Sequence, residues 1–242
     1  MARRSYDQYC GLARALDLLG ERWTLLIVRN LLLGPQRYSD LLRGLPGITT
    51  NLLAKRLREM EAEGLIERAT ETSEAAAYRL TSSGKSLEPA IHALGRWGWG
   101  RLGKPTARDR RSIEWLLVAL RRRYRGGLKL SAELDVDGEP YHMVLRDDEA
   151  EIGRGRVPGA ELRIRGKATD IAELFLNGLP RDAGPRRIAV EGGGGLLRSL
   201  VDAFTRGDRP PGAPRSMRKE PGGLASVRPG SSVGTRQRRS AR

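Results

Sequence analysis

Within residues 49–58 the chain places Thr49, Thr50 and Asn51, followed by Lys55, Arg56 and Arg58. Short hydroxyl and amide side chains hydrogen-bond to base edges, and cations one or two helical turns further on suit phosphates. That chemistry requires all six on one helix. Leu53, Leu57, Met60 and Leu65 recur at roughly helical spacing as an inward face, which leaves Thr50, Asn51, Lys55, Arg58 and, towards the flank, Arg56 outside. Thr49 or Thr50 supplies an N-cap, and Gly64 lies just past the apolar pattern. Upstream, Tyr38 to Leu42 reads as a shorter helix and Gly44-Leu45-Pro46-Gly47 as a turn, a helix-turn-helix layout with Arg37 and Ser39 at its entry. Downstream, Leu65 to Arg68 and Ala77 to Leu80 read as two strands around a polar tip, with Arg68 and Arg79 at the base for backbone contacts. The expected element is a winged helix and the expected partner is double-stranded DNA.

The composition has to be read locally. The 242 residues carry 44 Lys/Arg against 29 Asp/Glu, a net of +15. Residues 1–104 hold 16 and 11, a net of +5, and residues 105–205 hold 18 and 16, a net of +2. Residues 206–242 hold 10 and 2, a net of +8 in a stretch of Pro, Gly, Ser and Arg that predicts a disordered basic tail able to add non-specific attraction to DNA. One cysteine, Cys10, excludes an intramolecular disulfide and the usual zinc-finger ligand sets. The longest apolar run, near Leu25 to Leu33, is interrupted by Arg29 and Asn30, so no membrane span is expected. The first residues lack the apolar core of a secretion signal, and the expected location is the cytoplasm.

Two more helical patterns flank the reading motif. Cys10 to Leu19 and Arg22 to Leu33 precede it, with Trp23, Leu26, Ile27 and Leu31 as core and Gly34-Pro35 as the stop. Thr81-Ser82-Ser83-Gly84 opens a helix carrying Leu87, Ile91, Leu94 and Trp97, which reads either as docked on its own domain or as a dimer contact. The series Cys10, Ala15-Leu16-Asp17, Arg22-Trp23-Thr24-Leu25-Leu26-Ile27, Gly34-Pro35-Gln36-Arg37-Tyr38, Leu45-Pro46-Gly47-Ile48 and Arg56-Leu57-Arg58-Glu59-Met60-Glu61 closely resembles the HxlR-type winged-helix regulators. The resemblance covers about the first hundred residues. It implies a homodimer joined through the N-terminal helices and the helix ending near Trp97, binding an inverted-repeat operator. Some HxlR-type regulators use a cysteine at this N-terminal position as an oxidant or electrophile switch, which would make Cys10 a redox sensor. Here Gly11 follows Cys10 where Pro is common, and the tip Glu71-Thr72-Ser73-Glu74-Ala75-Ala76 is acidic and alanine-rich.

The rest divides into a linker at 105–109 and a second domain at 110–205. Ile113, Leu116, Leu117, Leu120 and Tyr124 form a helical stripe ending in Arg121, Arg122, Arg123 and Arg125, charges favourable near a helix C-terminus. From Leu128 the period becomes two, with Asp137-Gly138 as a hairpin turn before Tyr141, Met143 and Leu145. Strands at 150–153, 161–165 and 187–191 and helices at 170–176 and 196–204 complete a meandering, mostly antiparallel sheet covered by helices. The whole chain is therefore α+β. Leu162-Arg163-Ile164-Arg165-Gly166, Asp170-Ile171 to Gly178 and Ile188-Ala189-Val190-Glu191-Gly192 resemble the sterol carrier protein-like domains. That resemblance implies an apolar cavity between sheet and helices for a hydrophobic small molecule. Its inward candidates are Leu134, Met143, Ile164, Leu174 and Phe175.

Enzyme chemistry finds little footing. The two histidines, His92 and His142, make no metal-ligand spacing, and no cofactor is expected. Gly192-Gly193-Gly194-Gly195 lacks the G-x-G-x-x-G order and the P-loop Lys, and reads as a flexible turn. A His142–Asp135 pair facing a cavity would be the sign of a lipid-handling enzyme, the distant alternative. The nearer alternative is a thiol switch at Cys10, with the C-terminal domain as a dimerisation or protein-interaction module.

Overall fold

A computed structural model describes residues 5–69, 77–103, 106, 109–179 and 187–205. The basic segment 206–242, the wing tip 70–76 and most of the expected linker lie outside the described residues.

The chain opens with α1 (Gly11–Leu19), α2 (Thr24–Leu31), the two-residue strand β1 (Gln36–Arg37), α3 (Tyr38–Gly44) and α4 (Thr50–Ala62). Then come β2 (Ile66–Ala69), β3 (Ala77–Leu80), the single turn α5 (Ser82–Lys85) and α6 (Glu88–Trp99). Thr49 caps α4: its hydroxyl accepts the Leu52 N–H at 3.4 Å. At the other end Gly64 takes φ +68°, a left-handed conformation open to glycine, and Leu65 returns its N–H to the Met60 carbonyl at 2.9 Å. Leu53, Leu57 and Met60 are buried as their spacing predicts. The post-wing segment is two helices, because Pro89 starts α6 afresh in its first turn. β1 was not foreseen. It pairs antiparallel with β3, Gln36 opposite Tyr78, and makes a three-stranded sheet in the order β1-β3-β2.

The second half begins with α7 (Ile113–Arg123), followed by β4 (Leu130–Val136), β5 (Glu139–Arg146), β6 (Glu149–Arg154), β7 (Leu162–Gly166), α8 (Ala168–Asn177), β8 (Ile188–Glu191) and α9 (Gly194–Thr205). The five strands lie in the order β6-β5-β4-β7-β8. The meander holds for β4, β5 and β6. After Arg154 the chain crosses over, so β7 lies parallel to β4, with Leu134 opposite Ile164. One face carries Ala132, Leu134, Met143 and Ile164 into the core beneath α7, α8 and α9. There Phe204 meets Tyr124 at 5.6 Å between ring centroids and Phe175 at 5.8 Å, edge to face. The other face carries polar residues such as Glu133, Asp135 and His142, with the Glu133 carboxylate covered by Arg156 and the Val157 N–H.

The two halves are not separate bodies. One hydrophobic core runs from Trp23 and Ile27 through Leu117 and Leu120 to Leu134 and Phe204, and the described residues form one compact unit. The joint is α7, which packs against α2 and α6 on one side and β6, α8 and α9 on the other. Leu117 and Leu120, wholly buried in it, explain why the sequence carries a helix there with two apolar edges.

Candidate nucleic-acid interface

The capped helix α4 presents Thr50, Asn51, Lys55 and Arg58 as exposed side chains, with Thr49 exposed at its cap and Arg37 and Ser39 exposed at the entry to α3. Tyr38 ties the two helices: its hydroxyl donates to the Thr50 carbonyl at 2.6 Å, which sets the first turn of α4 against the start of α3. Lys55 lies 3.8 Å from Glu59, a loose and solvated pair that a phosphate can displace. Arg37 and Arg58 have no ion pair among the described residues.

Three arginines behave differently from the expectation. Arg56 was expected on phosphates, yet its side chain is only 11% exposed, held by Glu21 at 2.7 Å and by Glu59. It joins α4 to the turn between α1 and α2, and the physical reason is that Glu21, distant in sequence, competes for it on the spot. At the wing, Arg79 pairs with Glu67 at 2.8 Å, and Arg68 reaches Glu61 at 3.5 Å while lying over the Tyr78 ring at 5.7 Å. Both belong first to the wing's own structure; Arg68, more exposed, keeps an outward edge.

Two buried polar residues, invisible to pattern reading, support this surface. Asn30 is 1% exposed and donates from its amide to the Gly44 carbonyl at 3.2 Å, at the end of α3. Gln36, 3% exposed, donates to the Asn30 carbonyl at 2.5 Å. A Cβ on Gly44 would fall 2.7 Å from the Asn30 amide nitrogen, so that glycine is a packing requirement. The only hint in the sequence was a polar residue interrupting the apolar run of α2.

Cys10 is exposed at the N-cap of α1. The free backbone N–H groups of Ala13 and Leu12 favour its thiolate and hold its pKa below the ordinary thiol value. The effect comes from the backbone at the start of the helix. Tyr6, Tyr9, Leu12 and Leu16 stand exposed around α1, and Leu94, Trp97, Trp99 and Leu102 around the end of α6.

The five residues expected to line a cavity are packed core instead. Leu134, Met143, Ile164 and Phe175 are fully buried and Leu174 is 5% exposed. Sheet and helices meet directly because Phe175 and Phe204 interlock between them. A depression of about 390 Å³ lies elsewhere, lined by Arg125, Gly126, Gly127, Leu128, Ser199, Asp202 and Ala203. His142 and Asp135 form no dyad: His142 faces the Gly155 carbonyl at 3.3 Å and Glu151 at 3.8 Å, while Asp135 holds Arg165 at 3.2 Å. Gly192, at φ +121°, passes so near the Glu161 carbonyl that a Cβ would lie 2.6 Å from it, which accounts for the glycine turn without a phosphate. Among the described residues there is no group of three or more His, Cys, Asp or Glu able to hold a metal, and no helix long and apolar enough to cross a membrane.

A capped helix with an open polar face, braced by a preceding short helix and followed by a two-stranded wing, defines a winged-helix DNA-binding protein. Residues 18–104 match the HxlR-like helix-turn-helix family, and the chain belongs to it. The helix-turn-helix-type transcriptional regulator YvaP of Bacillus subtilis (strain 168) is 40% identical over 86 residues, which are 35% of this chain and 80% of that protein. The regulator Mb3122 of Mycobacterium bovis (strain ATCC BAA-935 / AF2122/97) is 45% identical over 94 residues, 38% of this chain and 59% of that one. YodB of Bacillus subtilis (strain 168) is 35% identical over 85 residues, 34% of this chain and 76% of its own. A quinone-bound crystal structure of YodB aligns with 37% of this chain and 96% of its own, at 32% identity and a TM-score of 0.33. The family match ends at residue 104, so α7 onwards lies outside it.

Proposed function

We propose that this transcriptional regulator binds an inverted-repeat operator as a homodimer, with Thr50, Asn51 and Lys55 towards the major groove and Arg37, Ser39 and Arg58 on phosphates. The observation that carries the reading is the outer face of α4. Asn51, Lys55 and Arg58 are exposed and one helical turn apart, whereas the neighbouring arginine, Arg56, is tied down by two carboxylates. An amide near the helix N-terminus reads a base edge, and exposed cations beyond it release counterions from phosphates. The second copy supplies the other half-site, and the exposed apolar residues of α1 and α6 are the surface it covers. The test is selection from random duplexes with the full chain: an enriched inverted repeat supports the reading, and no enrichment above a non-specific background sinks it.

The C-terminal half acts on the reader through α7, the helix it shares with α2 and α6. A hydrophobic effector would have to part Phe175 from Phe204 to enter, so ligand binding there is a change of state, not the filling of a ready hole. Thermal shift of the full chain with fatty acids, sterols and acyl esters tests for that state.

A second reading rests on Cys10. An exposed thiol whose pKa is lowered by a helix N-terminus is suited to oxidants and electrophiles, and YodB, a relative of this half, has been crystallised with a quinone. In this reading the C-terminal half serves as a dimerisation or protein-interaction module and the switch lies in α1.

A further inference from the structure

A line of buried and partly buried polar groups crosses from the C-terminal sheet into the reading motif. On the sheet side, Tyr141 donates its hydroxyl to Glu114 Oε1 at 3.0 Å, and Arg154 donates to the same oxygen from Nε at 3.1 Å and from a terminal nitrogen. Glu114 lies in the first turn of α7, and the next residue, Trp115, places its ring 4.5 Å from the Arg29 guanidinium carbon on α2. Arg29 is held largely out of water, which pushes its pKa down to about 10 against the pull of Glu114. Its Nε and a terminal nitrogen donate to Asn30 Oδ1 at 3.1 and 3.0 Å. The Asn30 amide then holds the Gly44 carbonyl, and the Asn30 carbonyl holds Gln36.

The end points are what matter. Gly44 is the last residue of α3, and five residues of turn separate it from α4. Gln36 lies in β1, opposite Tyr78 of the wing strand β3. Asn30 therefore grips both supports of the DNA-reading surface. Its own amide is oriented by Arg29, because an amide oxygen that accepts two guanidinium bonds leaves only its nitrogen to face Gly44.

We propose that Arg29 and Asn30 are positioning residues through which the C-terminal half aims α4 at DNA, with Trp115 against Arg29 and its chain neighbour Glu114 anchored to the sheet by Tyr141 and Arg154. The proposal rests on the DNA-reading function given above. It makes the second half part of the reader's geometry: a change in the Tyr141–Arg154–Glu114 cluster reaches the helix-turn-helix without touching DNA.

The experiment uses the full chain, the duplex it selects and a scrambled duplex of the same length. Glu114→Gln, Asn30→Ala and the double variant are compared with the wild type well below their thermal midpoints. A purely structural role lowers the folded fraction and weakens both duplexes alike, so the ratio of the two affinities is the informative quantity. The expected result is a preference for the selected duplex at least fivefold lower in each single variant, with scrambled binding unchanged. The double variant should lose no more than the worse single, as two breaks in one line do. Preferences within twofold of wild type, or losses that multiply in the double, overturn the proposal. Should Glu114→Gln fail to fold, Tyr141→Phe removes one donor and keeps both Arg154 bonds. It should give a smaller loss in the same direction, and a wild-type preference there overturns the proposal equally. A wild-type chain that selects no duplex would overturn the reader and the relay together, whereas variants that match a discriminating wild type overturn the relay alone.

Discussion

Arg154 gives its backbone N–H to the carbonyl of Leu33 at 2.8 Å, from the last residue of β6 to the segment that follows α2. The neighbouring Leu32 carbonyl receives the Arg121 guanidinium at 3.0 Å, also from the C-terminal half. The last carbonyls of α2 are met locally, by the Leu32 and Gly34 N–H groups and the Gln36 amide, and the C-terminal half satisfies the next two carbonyls, at the end where the chain leaves the helix. Arg121 also holds Glu88 at 3.0 Å, which joins α6 to the same point. The two halves are thus connected by polar bonds that each needs, in addition to their shared apolar core.

The α4 face makes the sharpest prediction about binding. Asn51→Ala should relax sequence preference at one operator position by about 1–3 kcal/mol, while Arg58→Ala should weaken every duplex and reduce the salt slope by about one. Arg56→Ala should leave the salt slope unchanged, since its guanidinium is already neutralised by Glu21 and Glu59. Its cost falls on stability, at about 1 kcal/mol or less for a pair with half-exposed partners. Anisotropy titrations over a range of salt separate the three. An Arg56→Ala slope that drops as far as that of Arg58→Ala would reverse the assignment.

The packed interior of the C-terminal half predicts the response to truncation. Leu134 is fully buried between the sheet and its helices, so Leu134→Ala should cost about 2–5 kcal/mol in chemical denaturation. A side chain lining an empty cavity would lose far less, because few atoms would forfeit contacts. A loss under about 1 kcal/mol would argue for a ready-made hydrophobic site.

How far the chain could be read beforehand follows from the range of each interaction. The cap at Thr49, the stop at Gly64 and the inward row Leu53, Leu57 and Met60 are local, and their residue types alone place α4. Alternation of period two likewise gives the faces of β4 and β5, since Ala132, Leu134 and Met143 point inward as counted. Alternation says nothing about neighbours, however. The parallel pairing of β7 with β4 depends on where a crossover lands, and β1 is too short to show any period. The same limit explains Arg56. A long cation on an outer helix face looks free until Glu21 is brought beside it by the fold. Asn30 and Gln36 are the extreme case, polar residues whose burial makes sense only when Gly44 and the Arg29 guanidinium are in view.

The exposed apolar residues at the end of α6 predict the assembly state. Trp97 is 64% exposed, with the Arg101 guanidinium 3.9 Å from its ring, and Leu94 is 53% exposed one turn earlier. Trp97→Glu would place a charge in the surface proposed for the second copy, and burying an unpaired carboxylate is costly. Light scattering should report a dimer for the wild type and a monomer for the variant at the same concentration. Operator affinity should fall with the dimer, while the thermal midpoint of the monomer stays near wild type because the exposed ring meets only the exposed Arg101 guanidinium. A wild-type monomer, or a variant that still dimerises, would move the interface elsewhere.

Cys10 gives the last prediction. Its thiol stands in solvent at the start of α1, and the N–H groups of Ala13 and Leu12 stabilise the thiolate. A thiol with a lowered pKa carries more thiolate at neutral pH, so alkylation by iodoacetamide should outpace that of a free cysteine peptide at pH 7, with the advantage shrinking as the pH rises and both ionise fully. Unfolding removes the helix N-terminus and with it the advantage, which makes the denatured chain the internal control. If the reaction is also a switch, a peroxide or a quinone should change operator affinity in the wild type and leave Cys10→Ser unaffected. Reactivity without any change in affinity would leave an accessible thiol and no switch. Equal responses in wild type and Cys10→Ser would place the oxidant's target on another residue, and the second reading of the protein's function would fall.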